Sequence, residues 1–429
     1  MKKITKVSEV QRFDMSLPPK KMKWFLRPIA NLIAEPGFKK YKPIIHEEGV
    51  SGIKGPFLLL CNHNAFLDFK VAYHLLRGKS ANYVVAIDGF IGREWLLRNV
   101  GCICKRKFTN DILLVRQLKR SLNMGSVAVV YPEARYSLCG TTAVLPESLG
   151  KMAKLFKVPV VTLICHGHHI NSPFWDSSHE RGVIPTEADY KLILTKEDLE
   201  KLSVDEINAK IVDAFQYDDF KWQKEHNVIV DEENRAKGLH HVLYQCPHCK
   251  KEHMMTSFGS TLKCNACGKE WEMTELGELR AKSGETEFSH IPDWYEWERA
   301  NVRCEVKNGT YSSGILNVHV NSLPNAKKFI ELGKGTLIHD MNGFRVKVDA
   351  FDGETYEMVK PVDSMYSCHI EYDYLFKFGD CIDLNTLEDT WYIYPEGEGF
   401  SVTKMALATE ELYFDYLEKS GKTLKKGIA

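Results

Sequence analysis

Between residues 50 and 200, short apolar runs of strand length alternate with amphipathic stretches, and no other feature limits the fold as tightly. The runs are Phe57–Cys61, Tyr83–Ile87, Val127–Tyr131 and Val158–Cys165. Short apolar runs bounded by turn signals suit buried strands, and the periodic segments between them suit covering helices. An α/β layered domain over residues 46–235 is therefore expected. A helix-prone stretch from about Val204 to His226 closes it, with Ile207, Ile211, Ala214, Phe215 and Phe220 as its apolar stripe. Ser203 with Glu206 three residues on fits a capping box at its start.

Two smaller regions follow. Residues 240–275 form a compact cysteine-paired module, and residues 300–420 carry many short alternating runs. Examples are Gly314–Val320, Lys334–His339, Phe344–Val348, Tyr356–Val359, Met365–Tyr372 and Thr390–Tyr394. Asn308-Gly309, Asn342-Gly343 and Asp352-Gly353 supply the turn chemistry that hairpins need. A helical pattern from about Val402 to Leu417 ends the region. Several strands and one terminal helix resemble a pleckstrin-homology or GRAM-like barrel, so a mostly β, barrel-like domain is expected over 295–420. At 429 residues the chain is long enough for each unit to bury its own core.

Net charge is zero, so the composition as a whole makes no case for nucleic acid. The charge is unevenly spread, however. Residues 1–45 hold eleven basic side chains against Glu9, Asp14 and Glu35. Within them, residues 19–42 mix lysines with Trp24, Phe25, Leu26, Ile29, Leu32 and Ile33, a composition suited to a helix lying in a headgroup layer. Pro28 and Pro36 limit how far one straight helix runs there. No stretch approaches the roughly 18 uninterrupted apolar residues of a spanning helix, and the N-terminus has no apolar signal-peptide core. The twelve cysteines do not make the even framework of a small secreted chain. These features point to a soluble or peripheral protein in a reducing, cytoplasmic compartment, and residues 19–42 suit either a helix at the cytoplasmic face of a membrane or one packed on the first domain with its lysines in water.

The sharpest local signal is Leu58-Leu59-Leu60-Cys61-Asn62-His63-Asn64-Ala65-Phe66-Leu67-Asp68. A buried strand ends at Cys61, a loop exposes His63, and Leu67, Val71 and Leu75 begin a helical face that carries Asp68 in its first turn. A carboxylate on one imidazole nitrogen fixes the tautomer and frees the other nitrogen to take a proton. A surface histidine beside a capping aspartate has the same spacing, and the flanking motifs decide between the two. Asn62-His63-x4-Asp68 resembles the first motif of the glycerolipid acyltransferases, which include the lysophosphatidic acid acyltransferases. Gly101-Cys102-Ile103-Cys104-Lys105-Arg106-Lys107 resembles the second, Tyr131-Pro132-Glu133-Ala134-Arg135-Tyr136-Ser137 the third, and Val158-Pro159-Val160-Val161 the fourth.

The resemblance implies an O-acyltransferase with His63 as general base and Asp68 as its orienting partner. Its donor would be an acyl-CoA or acyl-carrier protein and its acceptor a lysophospholipid, with lysophosphatidic acid the first choice. Asn62, Gly101, Lys105, Arg106, Lys107, Glu133, Arg135 and Ser137 are the implied substrate-binding residues, the cations among them for the acceptor phosphate. The third motif departs from the family pattern: Ala134 replaces a glycine, and Arg135 stands one place early, with Tyr136 at the usual arginine position. A non-catalytic lipid-binding or scaffolding protein with a degenerate acyltransferase fold is the alternative. No Gly-x-Ser-x-Gly elbow offers a serine-hydrolase reading.

Cys246-x2-Cys249 and Cys264-x2-Cys267, separated by fourteen residues, have the spacing of a zinc ribbon. Four thiolates close the coordination sphere of Zn²⁺, so a structural rather than catalytic ion is expected. Lys250, Lys251, Lys263 and Lys269 are countered by Glu252, Glu270, Glu272 and Glu275, which argues against a nucleic-acid ribbon.

Overall fold

The computed structural model describes residues 6–176 and 181–421, so Lys2 and Lys3 of the basic segment lie outside the described residues. The four apolar runs of the first region are strands, as their composition predicts. With the rest they build a seven-stranded sheet from β1 (Ile44–Glu48), β2 (Leu58–Cys61), β3 (Ala81–Ala86), β4 (Cys102–Lys105), β5 (Val127–Val130), β6 (Val160–His166) and β7 (Glu187–Leu194). The order is β1-β7-β6-β2-β5-β3-β4. Strands β6, β2, β5, β3 and β4 are mutually parallel, and β7 runs antiparallel to β6 with β1 alongside it.

Alternate residues of β2 feed the two faces. Leu58 and Leu60 join one core with Leu118, Leu149 and Ile207, while Leu59 and Cys61 join another with Val71, Val129 and Val161. All four β2 side chains are fully buried, and burying each leucine contributes roughly 1.5–3 kcal/mol. Because the central strands are parallel, their C-terminal ends share one edge, where open α/β sheets place their sites.

The stretch from Val204 to His226 is two helices rather than one, Val204–Ala214 and Asp219–Glu225. Ser203 and Glu206 form the expected capping box. The break has a structural cause: Tyr217 turns inward toward the β2 loop, and Asp218 caps the second helix by accepting from the Lys221 N–H.

The cysteine-paired module is a four-stranded antiparallel sheet in the order β11-β10-β9-β8, with β8 (Met255–Phe258), β9 (Thr261–Cys264), β10 (Glu270–Met273) and β11 (Leu279–Ala281). Helix Ile291–Lys307 follows, and Asn308-Gly309 ends this helix instead of turning a hairpin.

The last region is a second seven-stranded sheet, antiparallel throughout. Its strands are β12 (Ser312–Ser322), β13 (Ile330–Asp340), β14 (Gly343–Ala350), β15 (Thr355–Lys360), β16 (His369–Glu371), β17 (Cys381–Asn385) and β18 (Thr390–Pro395). They lie in the order β15-β14-β13-β12-β18-β17-β16. Its two edge strands do not pair with one another among the described residues, so it is a curved half-barrel rather than a closed barrel. Helix Val402–Lys419 fills the open side, with Met405, Ala406, Leu407 and Leu412 in the same core as Val318, Val346 and Ile393.

The N-terminal segment ties these modules together before it reaches any helix. The Phe13 N–H donates to the Pro324 carbonyl, and Gln117 of the first domain donates to the Met15, Ser16 and Leu17 carbonyls. Helix Arg27–Tyr41 then packs on helix Phe66–Leu75 and accommodates Pro36 within it. Tyr73 donates to Asn31, and Phe38 stacks on His74. Its outer side leaves Leu32 (74%), Ile29 and Ile33 exposed, as is Trp24 (79%) in the 3-10 turn just before it. Among the described residues no helix is long and apolar enough to cross a membrane.

Candidate active site

His63 follows β2 directly and sits where the C-terminal ends of β2, β5 and β6 converge. Its main chain is clamped from both sides by the third motif. The His63 N–H donates to Glu133 Oε1 at 3.2 Å, and the Ser137 N–H donates to the His63 carbonyl at 2.8 Å. Asn62 is fully buried and pairs with Cys165 of β6, giving its Nδ2–H to the carbonyl at 2.9 Å and taking the N–H at 2.8 Å. Asn64 accepts from the Tyr217 hydroxyl at 3.0 Å. The loop is thus fixed by side chains that cost free energy if left unpaired.

Asp68 is fully buried and accepts four donors. They are the Asn64 N–H at 2.6 Å, the Ala65 N–H at 3.0 Å, His63 Nδ1 at 3.3 Å and His168 Nδ1 at 2.5 Å. Burial alone would raise its pKa, but the hydrogen bonds from His168 and then His63 outweigh burial and hold it at about 2. An ionised carboxylate only accepts, so both imidazoles carry their proton on Nδ1. The His63 side chain keeps 24% of its surface exposed, leaving Nε2 free for a proton from solvent or substrate. The rings of Tyr131 and Tyr136 pack on it at 4.4 and 4.3 Å.

His168 has no counterpart in the sequence reading. It is fully buried, and its Nε2 has no hydrogen-bond partner among the described residues. The run His166-Gly167-His168-His169 after the fourth-motif strand is the signal that could have drawn notice. Gly167 permits this turn with φ +78°, where a Cβ would strike the Pro185 carbonyl and Trp222.

The other expected substrate-binding residues fall into two groups. Glu133, Ser137 and Gly101 hold the scaffold. Glu133 is buried, accepts from His63, Ala143 and Tyr217, and is pushed by burial up to about 8 against those hydrogen bonds. Ser137 donates to the Thr141 carbonyl and accepts from the Gly140 N–H. Gly101 lies at φ +100° with no room for a Cβ beside the Ala81 carbonyl.

Three of the four cations, Arg106, Lys107 and Arg135, face the C-terminal half-barrel. Arg106 is 1% exposed and donates to the carbonyls of Leu323, Pro324 and Glu388 and to Thr390 Oγ1. Lys107 reaches His369 at 2.9 Å, Asp383 at 3.6 Å and Asp88 at 3.7 Å. Burial opposes its charge, but Asp88 and Asp383 outweigh burial and raise its pKa. Arg135 donates to Glu410 at 2.7 Å and to Ser367 at 3.1 Å. Lys105 is capped by Thr109 and lowered by burial to about 8. The one-residue shift in the third motif is now legible: Tyr136 faces His63 and Arg135 points into the seam between domains.

Ala134 adopts φ +56°, the left-handed conformation that the family glycine would take without strain.

The four cysteines of the paired module bring their sulfurs together. Cys246 and Cys267 are 3.8 Å apart, and Cys249 and Cys264 3.7 Å. A tetrahedral ion with bonds of about 2.3 Å sets its ligands about 3.8 Å apart, so the cradle fits Zn²⁺. Each pair sits on a tight knuckle, with the Lys250 N–H donating to the Cys246 carbonyl and the Gly268 N–H to that of Cys264.

Comparison with known proteins adds the following. Residues 40–166 match the Acyltransferase family. The crystal structure of the 1-acyl-sn-glycerophosphate (LPA) acyltransferase PlsC from Thermotoga maritima is similar at 17% identity, over 44% of this chain and 75% of that one, with a TM-score of 0.35. No curated protein matches the chain by sequence. The matched segment spans β1 to β6 and includes His63, Asp68, Arg106 and Glu133. The part of the chain that is similar to the Acyltransferase family is thus the part that carries His63 and Asp68.

Proposed function

We propose that the protein moves an acyl chain from an acyl thioester, carried on CoA or acyl-carrier protein, to the hydroxyl of a lysophospholipid-type acceptor. The observation that carries this reading is the Asp68–His63 pair, with Nδ1 committed to the carboxylate and Nε2 free. The acceptor O–H gives its proton to Nε2 as its oxygen bonds the thioester carbonyl carbon. The C–S bond then breaks, the imidazolium returns the proton to the departing thiolate, and an ester and a free thiol leave. Buried Asp68 stabilises the imidazolium between these steps, and no covalent acyl-enzyme forms. Lysophosphatidic acid is the acceptor implied by the family resemblance; a lysolipid without its phosphate meets the same chemistry.

The exposed Trp24, Ile29, Leu32 and Ile33, with Lys20, Lys21, Lys23 and Arg27 nearby, support docking on an anionic membrane surface on the cytoplasmic side. Phe66, exposed at the start of the helix that follows His63, would bring the base to that surface. The cysteine cradle is proposed to hold a structural Zn²⁺, and the half-barrel with its terminal helix to be of pleckstrin-homology or GRAM-like descent.

The test is thioester consumption by the full chain with acyl-CoA or acyl-carrier protein and a lysolipid, beside His63→Ala. Loss of a general base costs roughly 10²–10⁴-fold in rate, so turnover should vanish in the variant while its melting temperature holds. Absence of turnover with either donor and every lysolipid would favour the lipid-binding scaffold.

A further inference from the structure

The cations that the sequence offers for an acceptor phosphate are all engaged by the protein itself. Four of the five Arg106 donors are spent on Leu323, Pro324, Glu388 and Thr390, and the Nε left over is buried. Arg135 is locked to Glu410, which in turn binds Arg299 at 2.6 Å, and its own Nε is buried without a partner. Lys107 lies among Asp88, Asp383 and His369, and His369 itself gives a hydrogen bond to Asp383 at 2.8 Å. Most of these partners come from the half-barrel and its helix.

The surroundings of the reacting edge are aromatic, with Tyr131 and Tyr136 packed on His63. Tyr136, which packs on His63, is raised by burial first and then by Asp68, Glu371 and Asp88, all acidic. Beyond it run Phe174 and Tyr372, aromatic and uncharged. A phosphate monoester carries close to two negative charges near neutral pH. Seated here it would meet aromatic rings, and it would have to break buried ion pairs to win a cation.

We infer that the acceptor presents an uncharged alcohol at its reacting end, the half-barrel having filled the seat that a phosphate would need. This rests on the acyl-transfer reading and narrows its substrate class to a neutral hydroxyl lipid. Asp383, which holds Lys107, acts as a specificity-determining residue without touching the reacting atoms.

The experiment uses the full chain with oleoyl-CoA and with oleoyl-acyl-carrier protein. Phosphatidylcholine vesicles carry either 1-oleoylglycerol or 1-oleoylglycerol-3-phosphate at equal mole fraction, and thiol release and product ester are both read. The expected result is a kcat/KM at least ten-fold higher for the uncharged acceptor. An equal or higher value for the phosphate acceptor overturns the inference and leaves acyl transfer standing. Consumption of neither acceptor, with either donor, removes the acyl-transfer reading and the inference with it. A second arm measures Asp383→Asn, checked for fold by thermal melting. Loss of one of the two carboxylates on Lys107 should move the acceptor ratio at least three-fold toward the phosphate; an unmoved ratio in a folded variant removes Asp383 from the role.

Discussion

Replacing Glu410 by Gln takes one negative charge from between two buried guanidinium groups. Glu410 is fully buried, with Arg135 Nη2 at 2.7 Å from one oxygen and Arg299 Nη1 at 2.6 Å from the other. Ser367 donates to it as well, so the carboxylate is fully used. At an effective dielectric near 20, charges about 4 Å apart attract by roughly 4 kcal/mol, most of which repays the cost of desolvation. Removing the carboxylate leaves that cost on the two arginines, and breaking a buried pair in this way costs about 3–5 kcal/mol. Burial would raise the Glu410 pKa, yet Arg135 and Arg299 bring it below the ordinary value. A depressed folded pKa means the stabilisation is complete above the unfolded value near 4.3 and is lost as pH falls through the folded one. Urea unfolding at pH 7 should therefore show Glu410→Gln destabilised by about 3 kcal/mol, and the gap to wild type should close at low pH. Lys334→Ala, which breaks the exposed pair with Glu396, serves as a control and should not differ measurably from wild type. A Glu410→Gln loss under about 1 kcal/mol at pH 7 would refute the account of the seam as a charge-locked interface.

Further outcomes follow from other sites. His168→Ala should lower kcat about ten-fold or more with little change in KM, because Asp68 loses its nearest donor while the acceptor surface is intact. His168→Asn, whose amide N–H can take the place of Nδ1–H, should recover most of that; an Ala variant with more than half the wild-type kcat would deny His168 a positioning role. Metal analysis of the purified chain should give one zinc per molecule, and Cys249→Ser should lose it and loosen residues 244–275 to proteolysis, whereas a fully folded, zinc-free wild type would refute the cradle. Ala134→Gly should raise stability by about 0.5–1 kcal/mol in urea unfolding, since Ala134 is held at φ +56°; a loss of stability would show that the loop is not strained there.

Much of the first domain could be read from the chain because its determinants are local. Leu58–Cys61 declares a buried strand by composition, and Asn62, His63 and Asp68 lie within seven residues whose backbone geometry is set by one strand end and one helix start. The meeting of the four cysteines was legible for the same reason, since each pair shares one knuckle. The reading failed where long-range contacts overrule local pattern. Residues Val204 to His226 have one helical periodicity, but Tyr217 leaves the helix to reach Asn64 and Glu133. The Asn308-Gly309 turn ends a helix because Trp294, Tyr295 and Val302 find a core that no local pattern announces.

The chemistry divides along the same line. Sequence alone determined which strand leads into His63, which carboxylate lies beside it and where four thiols can meet. It could not say what the basic residues of the second and third motifs touch, because Arg106 meets Thr390 and Arg135 meets Glu410 across separations of 284 and 275 residues. A cation in a loop can bind a substrate or a distant carboxylate with equal ease, and only the packing of the half-barrel against the first domain decided which.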